Sequence, residues 1–249
     1  MIFTLITIIF IGLIVGTLVG TVGIGGVLLA PALALLLGLD LQLAMATGIW
    51  SFLFTGAMGA YTYGKRGSID WRMAGWLALG IIPASLLGAR TNTILSPTLL
   101  AALLIIILLY SAANALFKRQ DSHKASPEIA TYWLIIIGIV VGFGSALTGT
   151  GGAVILMPIF LLLHVPALKA VGVVQGIQLP IALFGSVGFI LFGEVDFILG
   201  TSLGIIQAIG VFIGTKIAHN VPMHRLRQLA AYALILSALV LFQKMITGL

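Results

Sequence analysis

Long stretches of this chain carry no charge: residues 1–39, 41–64, 91–117, 129–163, 170–193 and 197–215, with shorter runs at 73–89 and 228–243. Wound as helices, apolar runs of ~20 residues match the ~30 Å hydrocarbon core of a bilayer. The first run is too long for one such helix, because 39 residues at 1.5 Å each would reach ~58 Å. The chain must therefore turn back inside it. The turn falls at Gly23-Ile24-Gly25-Gly26, and a second like it stands at Gly149-Thr150-Gly151-Gly152. Each is followed by an apolar stretch (Val27–Leu37 and Ala153–Leu163) too short for an ordinary spanning helix and suited to a broken or re-entrant one.

The two turns belong to a duplication. With the chain shifted by 126 residues, Gly12, Gly16, Gly23, Gly25, Gly26, Gly59, Gly67 and Gly88 fall on Gly138, Gly142, Gly149, Gly151, Gly152, Gly185, Gly193 and Gly214. Chance would place about two such matches, so an internal repeat is the simplest account. Asp70 falls on Asp196, Ala44 on Ala170, and the cation Arg90 on the cation Lys216. We divide the chain into a first repeat (1–117), a linker (118–128) and a second repeat (129–249). In an apolar chain, paired glycine-interrupted segments mark a transporter with its site between the halves.

Composition sharpens the class. Of 249 residues 61% are apolar and 7% charged, with a mean hydropathy of +1.25, which is too little polar surface for a water-soluble globule. No cysteine is present, which removes disulfides and thiolate metal sites. Met1-Ile-Phe-Thr lacks a basic stretch and no small-residue cleavage site follows, so residues 1–22 read as a retained first helix.

Twelve cations face six acids. The cations are spread over several short loops with no single basic face, which argues against nucleic acid and for a topological signal. If the short segments cross, each half has five crossings. Lys65, Arg66, Arg72, Lys118, Arg119, Lys124, Lys169, Lys216, Arg225 and Arg227 then share one side, with only Arg90 and Lys244 opposite. Ten against two obeys the positive-inside rule. The expectation is an all-α polytopic membrane protein of two inverted repeats, eight full helices plus two short glycine-broken ones. Both termini would lie outside and Lys118–Glu128 in the cytoplasm. The alternative is eight helices with two re-entrant hairpins.

The glycine turns are also the strongest chemical signal. Glycine lets a ligand approach backbone N–H groups, and a helix starting just beyond presents partial positive charge. Gly25, Gly26, Gly151 and Gly152, with the hydroxyls of Thr21, Thr148 and Thr150 beside them, would cradle a small anion. Scattered glycines such as Gly56 and Gly75 read as helix packing. Thr47, Trp50, Ser51, Thr55, Gln175, Gln178 and Gln207 are the other polar residues of interest in apolar segments. Gln175 and Gln178, three apart on one helix face and close to Pro180, match Ile49 and Phe52 of the first half. Amides in hydrocarbon need partners, so they either glue helices together or line the pathway. Arg90 and Lys216 sit at matching helix ends, where cations snorkel to the interface. No acid lies deep in any segment, so no buried-carboxylate proton relay is indicated.

The series Gly16-Thr-Leu-Val-Gly20-Thr-Val-Gly23-Ile-Gly25-Gly26-Val-Leu-Leu-Ala-Pro31 followed by Ala44-Met-Ala-Thr47-Gly48 recurs. Its second form is Gly142…Gly149-Thr-Gly151-Gly152-Ala-Val-Ile-Leu-Met-Pro158 with Lys169-Ala170-Val-Gly172. The pattern resembles the TauE/SafE sulfite-exporter family of bacterial and archaeal inner-membrane proteins over nearly the whole chain. Val27 and Ala153 stand where a third glycine is expected after each pair, and Val173 where a threonine is expected. The resemblance implies secondary transport of sulfite, thiosulfate, a sulfonate or a related small organic anion across a plasma membrane.

Other classes fare worse. A passive anion channel would need a continuous polar or carbonyl-lined pore, and no such ring is visible. No nucleophile-plus-base arrangement suggests an enzyme, and no phosphate-binding Gly-x-x-x-x-Gly-Lys-Ser/Thr loop suggests a nucleotide-driven pump. The partners implied are the lipid bilayer and a small anionic substrate, with no cofactor or metal.

Overall fold

A computed structural model describes residues 2–117, 129–220 and 223–247. The first half contains α1 (Ile2–Val22), a 3-10 turn (Gly25–Leu28) leading into the short α2 (Leu29–Leu36), then α3 (Leu41–Lys65), α4 (Trp71–Ile94) and α5 (Pro97–Phe117). The second repeats the order with α6 (Thr131–Thr148), the short α7 (Ala153–Leu162), α8 (Ala167–Phe192), α9 (Phe197–Asn220) and α10 (Met223–Thr247). Among the described residues the chain is all-helical, with eight long helices and two short ones entered through glycine. The linker 118–128 lies outside the described residues.

The duplication extends to helix caps. Asp70 accepts the Met73 N–H at 3.0 Å to start α4, and its counterpart Asp196 accepts the Leu199 N–H at 2.9 Å to start α9. Each carboxylate satisfies a backbone donor that has no partner within its own helix.

Glycine contacts fix the helix directions. Along α1 and α9, Gly12 faces Ile206, Gly16 faces Gln207 and Gly20 faces Val211, so residue numbers rise together and the helices are parallel. The matched pair α4 and α6 behaves alike, with Gly138 on Leu77, Gly142 on Ile81 and Gly88 on Phe143. A methyl group on Gly16, Gly80 or Gly138 would collide with a carbonyl oxygen of the partner helix, which is the close backbone approach that small residues permit in lipid. Helix α3 is parallel to α9, through Gly200 on Thr47 and Thr62 on Thr215, and α8 is parallel to α4, through Gly188 on Leu86. Helices α3 and α8 cross antiparallel at the centre, with Gly185 on Ile49, Gly56 on Leu179 and Gly59 on Gln175.

Thus α1, α3 and α9 run one way, and α4, α6 and α8 the other. Consecutive long helices α1 and α3 are parallel, so the short segment between them carries the chain back. The same holds for α7 between α6 and α8. Re-entrant hairpins would instead have left α1 antiparallel to α3. Matched helices of the two halves point in opposite directions, which is compatible with inverted repeats.

Five of the described helices, α3, α4, α6, α8 and α9, are long and apolar enough to cross a bilayer. Phe10, Ile94, Ile106, Leu191, Ile198 and Leu236 are exposed on the outer surface, a density of apolar contact that suits lipid. Tyr61, Trp71, Tyr132 and Trp133 are exposed at the ends of α3, α4 and α6 nearest the loop 66–70, as an interfacial aromatic belt would be.

Candidate functional site

The two glycine turns meet at the crossing of α3 and α8. A methyl group on Gly26 would lie 2.9 Å from Phe52 Cζ and 3.1 Å from the Thr150 carbonyl oxygen. One on Gly151 would lie 3.0 Å from Phe52 Cε2, 3.1 Å from Cδ2 and 3.7 Å from Gln178 Nε2. The fully buried Phe52 ring is therefore held between the turns. Beside it Gln178 donates from Nε2 to Thr55 Oγ1 at 2.9 Å.

The turns are built differently. In the second, Gly149, Gly151 and Gly152 have φ of 67°, 73° and 92°, the left-handed region where a side chain is strained. In the first only Gly23 is left-handed (φ 78°), while Gly25 and Gly26 begin the 3-10 turn. Gly25 is packed on its own preceding helix, against Val15, Leu18 and Val19, and so acts as a hinge glycine that does not face the junction. The 3-10 turn leading to α2 begins at Gly25 and α7 begins just after Gly152. Both short segments therefore start at the junction, where their N-terminal ends concentrate partial positive charge.

The predicted polar residues divide into three groups. Gly26 and Gly151 flank Phe52, with the Thr150 carbonyl beside Gly26 and Gln178 Nε2 beside Gly151, while Thr148 Oγ1 is bonded to Thr150 Oγ1 at 3.1 Å and donates to the Gly144 carbonyl at 2.7 Å. Gln175 sits one turn away, donating to the Val19 carbonyl at 2.6 Å and so closing the end of α1, while Tyr63 donates to the Gly20 carbonyl at 2.7 Å. Thr47, Trp50 and Ser51 lie apart, on the seam between α3 and α9: Thr47 Oγ1 accepts the Asp196 N–H at 3.2 Å, Trp50 Nε1 donates to Thr201 Oγ1 at 3.0 Å, and Ser51 donates to the Gly48 carbonyl at 2.7 Å with Gln207 Oε1 at 3.4 Å. Thr21 spends its hydroxyl on the Leu18 carbonyl at 3.2 Å in its own helix. One packing expectation is corrected: Gly56 meets the α8 backbone as foreseen, but Gly75 is exposed and a methyl group there would meet nothing within 4 Å.

Sequence reasoning gave Phe52 no role, although the 126-residue shift places it on Gln178. It also missed Ser145, a fully buried serine whose Oγ lacks a partner and would lie 3.6 Å from a methyl group on Gly152. Buried Asn92, which donates to the Leu147 carbonyl at 2.7 Å, was missed as well.

The two ends of the molecule differ. At the end carrying Lys65, Arg66, Arg72 and Lys216, Lys169 Nζ pairs with Asp70 Oδ2 at 2.8 Å. The hydrogen bond from Lys169 holds the Asp70 carboxyl below its ordinary value against some desolvation, and the Met73 N–H assists. There the loop lies against α8 so closely that a methyl group on Gly172 would collide with the Ser68 carbonyl. At the other end a cleft of about 250 Å³ is lined by Asp40, Gln42, Leu43, Asn92, Phe192 and Glu194. Leu43 stands in the place that matches Lys169. Arg90 and Lys216 rest over Phe192 and Phe212 at 5.4 and 4.3 Å, near opposite ends. Among the described residues no cluster of three His, Cys, Asp or Glu could hold a metal ion.

The sequence matches a family profile described as sulfite exporter TauE/SafE over residues 8–241. The chain is 27% identical to the probable membrane transporter protein YjnA of Bacillus subtilis, covering 95% of this chain and 99% of that protein. It is 26% identical to the probable membrane transporter protein YdhB of the same organism, with 86% and 91% covered. A probable membrane transporter protein of Methanocaldococcus jannaschii is 26% identical, with 81% and 75% covered. No solved structure matches.

Proposed function

From the premise that this chain belongs to the TauE/SafE family of multi-pass membrane transporters, we propose that it is a secondary carrier of a small sulfur-containing anion, working by alternating access. One observation carries the reading: two glycine turns, each opening a short helix, converge in mid-bundle on the Phe52 ring, with Gln178, bonded to Thr55, and the Thr150 backbone beside them. Helix N-termini, hydroxyls and an amide suit an anion, and they hold it without a buried cation that would bind too tightly to release. The family's name supplies the sulfur chemistry; sulfite, thiosulfate and sulfonates all fit donors of this kind.

A carrier is favoured over a passive channel because the junction is filled by Phe52 and one end is drawn together by Lys169 and Asp70. The cation-rich end is cytoplasmic by the positive-inside rule, so the cleft at Asp40 and Glu194 faces outward. Proteoliposomes preloaded with unlabelled anion test the mechanism with sulfite, thiosulfate, sulfate, sulfoacetate and taurine. A carrier accelerates uptake of its labelled substrate when the same anion is inside, and a flux indifferent to internal substrate would sink the proposal.

A further inference from the structure

We propose that the Phe52 ring occupies the anion's place in the empty carrier, and so sets both the closure of the pathway at mid-span and the largest species that passes. The inference rests on the carrier reading, but its geometry stands apart from substrate identity. The ring touches both turns at once, with Cζ toward Gly26 and the Cδ2–Cε2 edge toward Gly151. It therefore stands against Gly26 and Gly151, where the two short segments open, with the Gln178 amide beside Gly151. An anion cannot reach these groups until the ring leaves.

The duplication explains the arrangement. Phe52 and Gln178 are the matched residues of two crossing helices, so a two-fold arrangement would place identical side chains on either side of the junction. The chain has instead put an apolar ring on one side and an amide on the other. Two rings would leave no hydrogen-bonding group for a ligand. Two amides would leave a wet gap through which ions leak, since a polar space left by an absent ring holds water. The mixed pair gives a dry stopper on one side and an amide within reach of the ligand on the other. Unpartnered Ser145 Oγ, buried behind Gly152, is a further polar group left without a protein partner.

The test has two arms. In the first, Phe52→Ala, Phe52→Leu and Phe52→Tyr are reconstituted and compared for uptake of sulfite and of benzenesulfonate. Shortening the side chain is expected to raise benzenesulfonate flux at least tenfold, with leucine intermediate and tyrosine like the parent. The second arm needs no substrate. Cysteine is absent from the chain, so Thr150→Cys can be labelled alone with a small charged methanethiosulfonate in folded, detergent-purified protein. Adding Phe52→Ala is expected to speed labelling at least tenfold, and if that double variant does not fold, Phe52→Leu takes its place with a several-fold gain. Equal labelling with and without the ring, in protein that elutes as a folded monodisperse species, overturns the inference and leaves the carrier reading intact. Faster labelling in a protein that passes none of the anions upholds the stopper and overturns the carrier reading.

Discussion

Replacing Gly151 by alanine is the sharpest test of the junction, because the structure separates its two costs. At φ 73° a β-carbon is in the left-handed region, which costs about 1–2 kcal/mol. The new methyl group would also stand 3.0 and 3.1 Å from two carbons of the Phe52 ring, which must retreat a few tenths of an ångström while its other edge is pressed toward Gly26. Overpacking of this kind costs about 1–3 kcal/mol. The sum, roughly 2–5 kcal/mol, corresponds to a fall in melting temperature on the order of 10 °C for a chain of this size. Gly75→Ala is the control. That position is helical, exposed and free of neighbours within 4 Å, so alanine is expected to stabilise by up to about 1 kcal/mol. Thermal unfolding of detergent-purified variants measures the difference, and anion uptake follows the consequence, with Gly151→Ala losing most flux and Gly75→Ala none. Equal melting shifts for the two would refute the reasoning, because neither backbone strain nor the ring contact would then be felt.

Three further outcomes follow from the same geometry. Gln178→Leu, which removes an amide at the junction, is expected to weaken anion binding by calorimetry about equally at low and high salt, whereas Lys216→Gln acts by long-range attraction and its effect should vanish as salt rises; the reverse pattern would make the cation a direct ligand. The Lys169–Asp70 pair involves a carboxyl held below its ordinary value, so its stabilisation is complete at neutral pH and is lost as pH falls through that lowered value. For a partly exposed pair this is at most about 1 kcal/mol, and Asp70→Asn should flatten the acid limb of a melting-temperature profile, while an unchanged limb would dismiss the pair. Gly67→Cys in the basic-end loop should resist an impermeant thiol reagent in intact cells and Glu194→Cys should react, and the opposite result would invert the assigned orientation.

Much of this was legible in the chain, and the reasons differ from residue to residue. Charge-free lengths and matched glycines announced the ten segments because lipid forbids unpaired backbone, so length and breakpoints are dictated by the solvent. Asp70 and Asp196 were visible as a match, and their common duty as helix caps explains why the match exists. The glycines of the two turns looked equivalent and are not: Gly151 is left-handed at the junction, while Gly25 is buried against its own helix. Nothing in the letters distinguishes those uses. Phe52 was unreadable for a similar reason, since an apolar residue in an apolar helix carries no sign of which neighbour it touches. Its pairing with Gln178 becomes meaningful only once α3 and α8 are seen to cross. Trp50 and Ser51 stood out only as polar residues beside the match of Gln178, yet neighbours on a helix point to different partners, and these face α9.

The pairing of α1 with α9, and of α4 with α6, joins helices from opposite halves by backbone contact. Consider the nascent chain at the ribosome. Translation at ~5–20 residues per second delivers Phe197, where α9 begins, roughly 10–40 s after α1 has been released toward the membrane. Throughout that interval Gly12, Gly16 and Gly20 face lipid acyl chains or the insertion machinery, with none of the ridge they are shaped to receive. A message truncated after the first half therefore yields helices whose smoothest faces have no mate, an obvious substrate for membrane quality control. Biogenesis of this protein is completed from its last third backward, when a late-made helix finally docks on the earliest one.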